Sequence, residues 1–127
     1  VYRHPGSITL AAPVSCQELI CHGNVQANSF NSSSDEQLKS HIMDVDVAQC
    51  KHMLKKISAK TYVRRDLTED RRVGFIAQDF QEFAPPEYDN IVGLRPDGLL
   101  SLDYSRIVSV LWSVVRDQEA RLTALEG

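Results

Sequence analysis

The chain has 127 residues, room for one domain of modest core and an extension, since a typical domain runs to roughly 100–150 residues. Hydrophobic residues make up 43% and charged ones 24%, a globular balance, and no apolar run approaches the roughly 20 residues that cross a bilayer. Fourteen Lys and Arg against seventeen Asp and Glu leave a net charge of −3 without long blocks of one sign, which excludes nucleic acid as the main partner, because phosphate binding needs a concentrated basic face.

Val1-Tyr2-Arg3-His4-Pro5-Gly6 has no apolar run behind a basic start, so it reads as a cut within a longer protein rather than a secretion signal. From Ser7 to Phe30 the pattern is of short strands broken by turns: Ile8–Leu10, Val14–Cys16, Glu18–Cys21 and Asn24–Ala27, punctuated by Pro13 and His22-Gly23-Asn24. Strands so few and short cannot bury both faces in one chain, and the simplest partners are copies of the chain wound about a common axis. Cys16, Cys21 and Cys50 cannot all pair, so free thiols are expected. Cys16, Cys21 and His22 lack the second ligand cluster that completes a tetrahedral metal set, and no metal or other cofactor is expected. The histidines His4, His22, His41 and His52 are scattered and read as solvated or packing residues.

Asn28 to Ser34 is a polar linker. Ser34 with Gln37 fits the capping box S-x-x-E/Q, which starts a helical turn at Asp35 with Ser34 as its N-cap. Val47, Cys50, Leu54 and Ile57 at helical spacing predict an amphipathic helix over Val47–Ile57, with Lys51, Lys55 and Lys56 outside. Thr61–Arg64 has strand character, Leu67–Arg72 is a polar loop, and Val73–Ala77 reads as a strand entering the core, with Gly74 admitting a close backbone approach. A short helix follows over Asp79–Ala84, stopped by Pro85-Pro86. Asn90–Leu94 and Leu99–Leu102 flank the turn Arg95-Pro96-Asp97-Gly98 and predict a hairpin. The last helix opens at Asp103 or Tyr104 and carries Val108, Leu111, Val115, Gln118, Leu122 and Leu125 at alternating spacings of three and four, an a/d seam; packing on its own domain explains the first half equally well, while the second, Arg116 to Glu126, better suits association with another helix.

These readings give an α+β fold: a short β-patterned segment over residues 1–33, then a small mixed domain over 34–127 that ends in a long helix with a coiled-coil-like seam of those six residues.

Three motifs stand in one order: Ser34-Asp35-Glu36-Gln37-Leu38-Lys39, then Gly74-Phe75-Ile76-Ala77-Gln78-Asp79, then Leu102-Asp103-Tyr104 leading into a helix that ends Leu122-Thr123-Ala124-Leu125-Glu126. From Ser34 to the C-terminus the chain resembles the peptidase S74 family. Its members are C-terminal intramolecular chaperone domains of bacteriophage tailspikes, tail fibres and neck appendages, found also in membrane-bound myelin regulatory factors. The resemblance implies a homotrimer that assembles and registers an upstream β-fibre of the same polypeptide, then releases itself by serine autoproteolysis. Carried over by position, Ser34 is the nucleophile and Lys39 the general base, with the cut between Ser34 and Asp35. It also implies a virion tail or appendage precursor made in the host cytoplasm, with no nucleic-acid partner and no membrane contact by this segment. Two rivals share most of these features: a trimerising fibre cap that never cuts, and the self-cleaving trimerisation domain of a membrane-bound transcription factor.

Two physical constraints bear on that pair. A lysine acts as a base only when its amine is neutral, against an ordinary pKa of about 10.4, so Lys39 has to be desolvated or set near other cations, while Asp35 and Glu36 favour the charged form. Five residues along an α-helix turn through about 500°, which leaves Ser34 and Lys39 roughly 140° apart. They meet only if Ser34 is extended or capping, or if the pair forms between chains.

Overall fold

The computed structural model describes residues 6–67 and 70–127. The reading of the chain start falls on residues outside that range, as does part of the expected polar loop at 68–69. The chain divides into two compact units between Ser40 and His41. The expected boundary at 33/34 lies seven residues earlier.

In the first unit the described residues form one regular element, a single 3₁₀ turn over Glu36–Leu38. The strands expected between Ile8 and Ala27 do not form within the chain, and every described residue there is exposed. A strand is defined by its partner's hydrogen bonds, and Pro13 and Gly23 break the run into pieces too short to pair with one another.

The second unit is mixed α and β. Helix α1 spans Val47–Lys56, β1 Lys60–Tyr62, β2 Arg72–Gly74, α2 Ala77–Phe83, β3 Val92–Leu94, β4 Leu100–Leu102 and α3 Tyr104–Glu126, with 3₁₀ turns over Pro86–Ile91. The strands make two antiparallel pairs, β1 with β2 in the register Thr61 to Val73, and β3 with β4 in the register Gly93 to Ser101. Gly98, at φ +86°, closes the second hairpin where a side chain would be strained.

The core is built from one face of each helix. Cys50, Met53 and Ile57 come from α1 and its cap, Phe80 from α2, Ile91 from the 3₁₀ turns, and Ile107, Val110 and Val114 from α3. Phe75 stands edge-on to Phe80 at 5.4 Å and lies 6.2 Å from the ring of Tyr104. Side chains of Asp46 and Asp103 cap α1 and α3, each accepting from two backbone N–H groups in the first turn.

Three expectations shift. Met53 fills the core where Leu54 was expected, because Cys50, Met53 and Ile57 line one face at spacings of three and four, and Leu54, one position further round, stays exposed. The strand expected over Val73–Ala77 ends at Gly74, and Ala77 already begins α2. Gly74 does admit a close approach: a Cβ there would lie 2.9 Å from Tyr62 Oη and 3.0 Å from Tyr104 Oη, so the two hydroxyl tips would have to give way. The turn at Glu36 is capped by Asp35, whose Oδ1 accepts from Gln37 N–H at 2.9 Å, and not by Ser34. Aspartate caps as well as serine does, and a turn of three residues starts one position later than a full capping box places it.

Candidate functional site

Ser34 and Lys39 meet within one chain. Between them Leu38 N–H donates to Asp35 C=O and Lys39 N–H to Glu36 C=O, each at 3.0 Å, so the backbone makes one tight turn and no more. Asp35 (φ −64°, ψ 139°) and Lys39 (φ −123°, ψ 146°) are extended on either side. That shape removes the angular mismatch of a regular helix: two extended arms leave the turn, and Lys39 Nζ reaches back to donate to Ser34 Oγ at 2.6 Å. Because Asp35 caps the turn, the Ser34 hydroxyl is spared that duty.

Both partners are exposed. The lysine is the donor in this hydrogen bond, so the serine hydroxyl is held but not deprotonated by it. A base needs the reverse arrangement, with a neutral amine accepting the hydroxyl proton. The Asp35 carboxylate is turned into its own cap, leaving the contact between Ser34 and Lys39 without an acidic third member among the hydrogen bonds of this turn.

The second expected surface is on α3. Ile107, Val110 and Val114 enter the core, whereas all six seam residues, Val108, Leu111, Val115, Gln118, Leu122 and Leu125, lie on the exposed side. Asp117, which takes a salt bridge from Lys51 at 2.5 Å, marks the level at which α3 leaves the domain. Beyond it every residue of the helix is exposed. Beside the seam runs an open groove of about 700 Å³ between α3 and the segment 43–47, lined by Met43, Val45, Val108, Trp112, Ser113 and Arg116 among others. Reading the sequence for a seam passed over Trp112, which breaks the three-four alternation but is 73% exposed.

Ionisable groups elsewhere serve the fold. Burial pushes the Cys50 thiol up, reinforced by the charge of Asp46, and desolvation does the same to Tyr88, whose hydroxyl accepts from Asp46 N–H. Asp103 is held below the usual carboxylate range, first by the Ser105 hydroxyl at 2.5 Å and then by the Arg106 N–H groups. Cys16 and Cys21 are exposed thiols. Among the described residues no three His, Cys, Asp or Glu side chains gather where they could hold a metal ion. No helix among them is long and apolar enough to cross a membrane.

Ser34 is also the first residue of a family match. Positions 34–88 fit the model of the peptidase S74 family, described as chaperone of endosialidase. Over these residues the chain is similar to that family. The match takes in the turn with Ser34 and Lys39, α1, both strands of the first hairpin and α2, and so includes two of the three motifs read from the sequence. The helix α3 lies beyond it. No curated protein matches the chain.

Proposed function

We propose that this chain is the self-releasing chaperone end of a homotrimeric viral β-fibre, and that Ser34 and Lys39 make the cut that releases it. The observation that carries the reading is the contact of 2.6 Å between Lys39 Nζ and Ser34 Oγ, in the first turn of the segment that matches a family named for a peptidase and a chaperone. Three chains joined through the α3 seam hold their upstream segments at high local concentration and in one register, which lowers the entropic cost of starting an interchain β-structure. The exposed apolar residues between Ile8 and Phe30 belong to that structure. Cutting then parts the folded fibre from its template and leaves unfolding kinetically hard to reverse.

The chemistry needs one change from the isolated chain. Covering Lys39 removes its amine from water and favours the neutral form, which takes the Ser34 proton as Oγ attacks a carbonyl carbon. An ester forms at Oγ, the C–N bond breaks, Lys39 returns the proton to the departing amine, and water hydrolyses the ester. Ring size sets which bond is cut. Attack on its own carbonyl would close a four-membered ring, so a cut between Ser34 and Asp35 takes the Oγ of another copy. Attack on the carbonyl of Ser33 closes a five-membered ring, so a cut made within one chain falls between Ser33 and Ser34.

The intact mass of the denatured protein tests the proposal. Wild-type protein gives two fragments joined at Ser34, and Ser34→Ala and Lys39→Ala stay whole. Fragments 1–34 and 35–127 indicate attack between chains, and 1–33 and 34–127 attack within one. A wild-type chain that stays whole as a trimer overturns the protease and leaves the non-cutting cap. That rival draws on the same hydrogen bond, in which an exposed ammonium merely holds the hydroxyl.

A further inference from the structure

We propose that Trp112 and the groove beside it form the contact by which a second copy of this chain clamps the domain, and that this contact governs the cut at Ser34. The inference rests on the trimer reading above and adds a contact that the a/d seam does not contain.

Assigning the seam fixes the flanks. With Val108, Val115 and Leu122 at a and Leu111, Gln118 and Leu125 at d, Trp112, Glu119 and Glu126 fall at e, and Ile107, Val114 and Arg121 at g. The two flanks are unlike. The g flank begins in the chain's own core, where Ile107 and Val114 are buried, and ends in the basic Arg121. The e flank begins at exposed Trp112 and ends in two acids. In a closed three-fold ring each interface joins two different patches, one from each copy, so unlike flanks are what such a ring requires. In a parallel register Glu126 of one copy lies opposite Arg121 of a second copy, five positions earlier, and the pairing is of opposite charge. The same register sets Trp112 opposite Ile107 of a second copy, where that helix enters its domain. Charge complementarity therefore selects a second copy as the occupant of the e flank, in an orientation that brings a domain down onto Trp112.

The groove gives the indole its other wall. Val108 belongs both to the seam and to the groove, so a helix lying on the seam reaches the groove without a break. Met43 and Val45 on the far wall are 85% and 40% exposed, an apolar surface facing the open groove. A large aromatic in the middle of such a contact is the side chain type that dominates association energies. The wall at Met43 follows Lys39 by four positions in the chain, so fixing it limits the freedom of the backbone that carries the base.

Trp112 is the single tryptophan of the chain, so its fluorescence reports this contact alone. The full chain carrying Ser34→Ala stays whole and is compared, assembled, with the same chain carrying Leu122→Glu and Leu125→Glu, which disrupt the seam well away from the indole. The assembled protein is expected to emit at shorter wavelength and to be quenched by acrylamide several-fold less. Trp112→Ala is expected to weaken association by about thirtyfold, the order produced by truncating a central aromatic anchor. With Ser34 restored, Trp112→Ala slows the cut at concentrations where the trimer is still full, and Trp112→Phe recovers much of the rate. An assembled trimer whose indole stays as exposed as in the disrupted chain overturns the contact and leaves the trimer standing. Equal cutting by wild type and Trp112→Ala at full assembly overturns the control of the cut. A full chain that is monomeric at every concentration overturns the trimer and this inference together.

Discussion

The two halves of α3 are one continuous helix under opposite rules. From Tyr104 to Val115 the helix lies on a core, with Ile107, Val110 and Val114 buried and Asp103 capping its start. From Arg116 to Glu126 it keeps the same backbone pattern while burying nothing, apart from Asp117, half-buried under Lys51. Helix propensity alone sustains an isolated stretch of this length poorly in water, since segments below about 12–15 residues are marginal. The distal half therefore borrows order from the proximal half or from other chains, and the apolar residues it shows, Leu122 and Leu125, sit on the side where other chains would be.

The largest effect is expected where the distal half is asked to do its work. Replacing Leu122 and Leu125 by Glu sets charges into the distal end of the proposed three-helix seam, and assembly is expected to be lost across the micromolar range. Analytical ultracentrifugation reads the mass, and far-ultraviolet circular dichroism should show reduced helicity confined to about the last ten residues, the span that frays once unsupported. Unchanged mass would move the trimer contact off this helix.

In the proximal half the matching change is Phe80→Ala. Phe80 is buried in the cluster that α3 covers and meets Phe75 edge-on, so truncation is expected to cost about 3–5 kcal/mol. Chemical denaturation at fixed protein concentration measures it. The distal seam and the core should respond independently: Phe80→Ala lowers the denaturation midpoint of a chain already made monomeric, whereas the Glu pair barely moves that midpoint. A common response would mean that core and seam are one cooperative unit.

The same contrast explains what could be read from the sequence. The second unit was legible almost throughout, because each element buries a face against a neighbour in its own chain and leaves a period in the apolar residues: α1, the hairpin of β3 and β4, and α3 all stand where spacing put them. Errors came where two residue types compete for one task. Cys50, Met53, Leu54 and Ile57 all suit a core, and only the packed face decides that Met53 is inside. Ser34 and Asp35 both cap helices well, and the length of the turn decides between them. In the candidate site the motif singles out Ser34 and Lys39 but leaves open whether they meet within one chain or between chains, because a 3₁₀ turn between extended arms has no periodic signature. The strands expected before Phe30 fail for another reason. A strand's hydrogen bonds lie outside it, so a pattern of two tells where a strand would fit and not what it pairs with.

The smallest effect lies at the point where α3 begins. Asp103 accepts from Ser105 N–H at 3.0 Å and from Arg106 N–H at 3.4 Å, closing the first turn of the helix. Asp103→Ala is expected to cost about 1 kcal/mol, as loss of an N-cap does. The titration of the same group separates its charge from its cap. Folding holds the carboxyl below its usual range, mainly through the Ser105 hydroxyl, so the unfolded chain binds the proton more readily. The stabilisation is therefore complete above the unfolded value of about 3.9 and is lost as the pH falls through the lower folded value. Asp103→Asn keeps an oxygen that caps and removes the proton from the balance. The wild type should lose stability relative to this variant as the pH falls from about 4 through the lower folded value, with the two close to parallel from about pH 5 to 7. A difference that persisted unchanged down to pH 3 would assign the effect to hydrogen-bond geometry and not to charge. The half-exposed setting of Asp103, with its carboxylate also paired to Arg106 in water, keeps the expected difference below that of the cap itself.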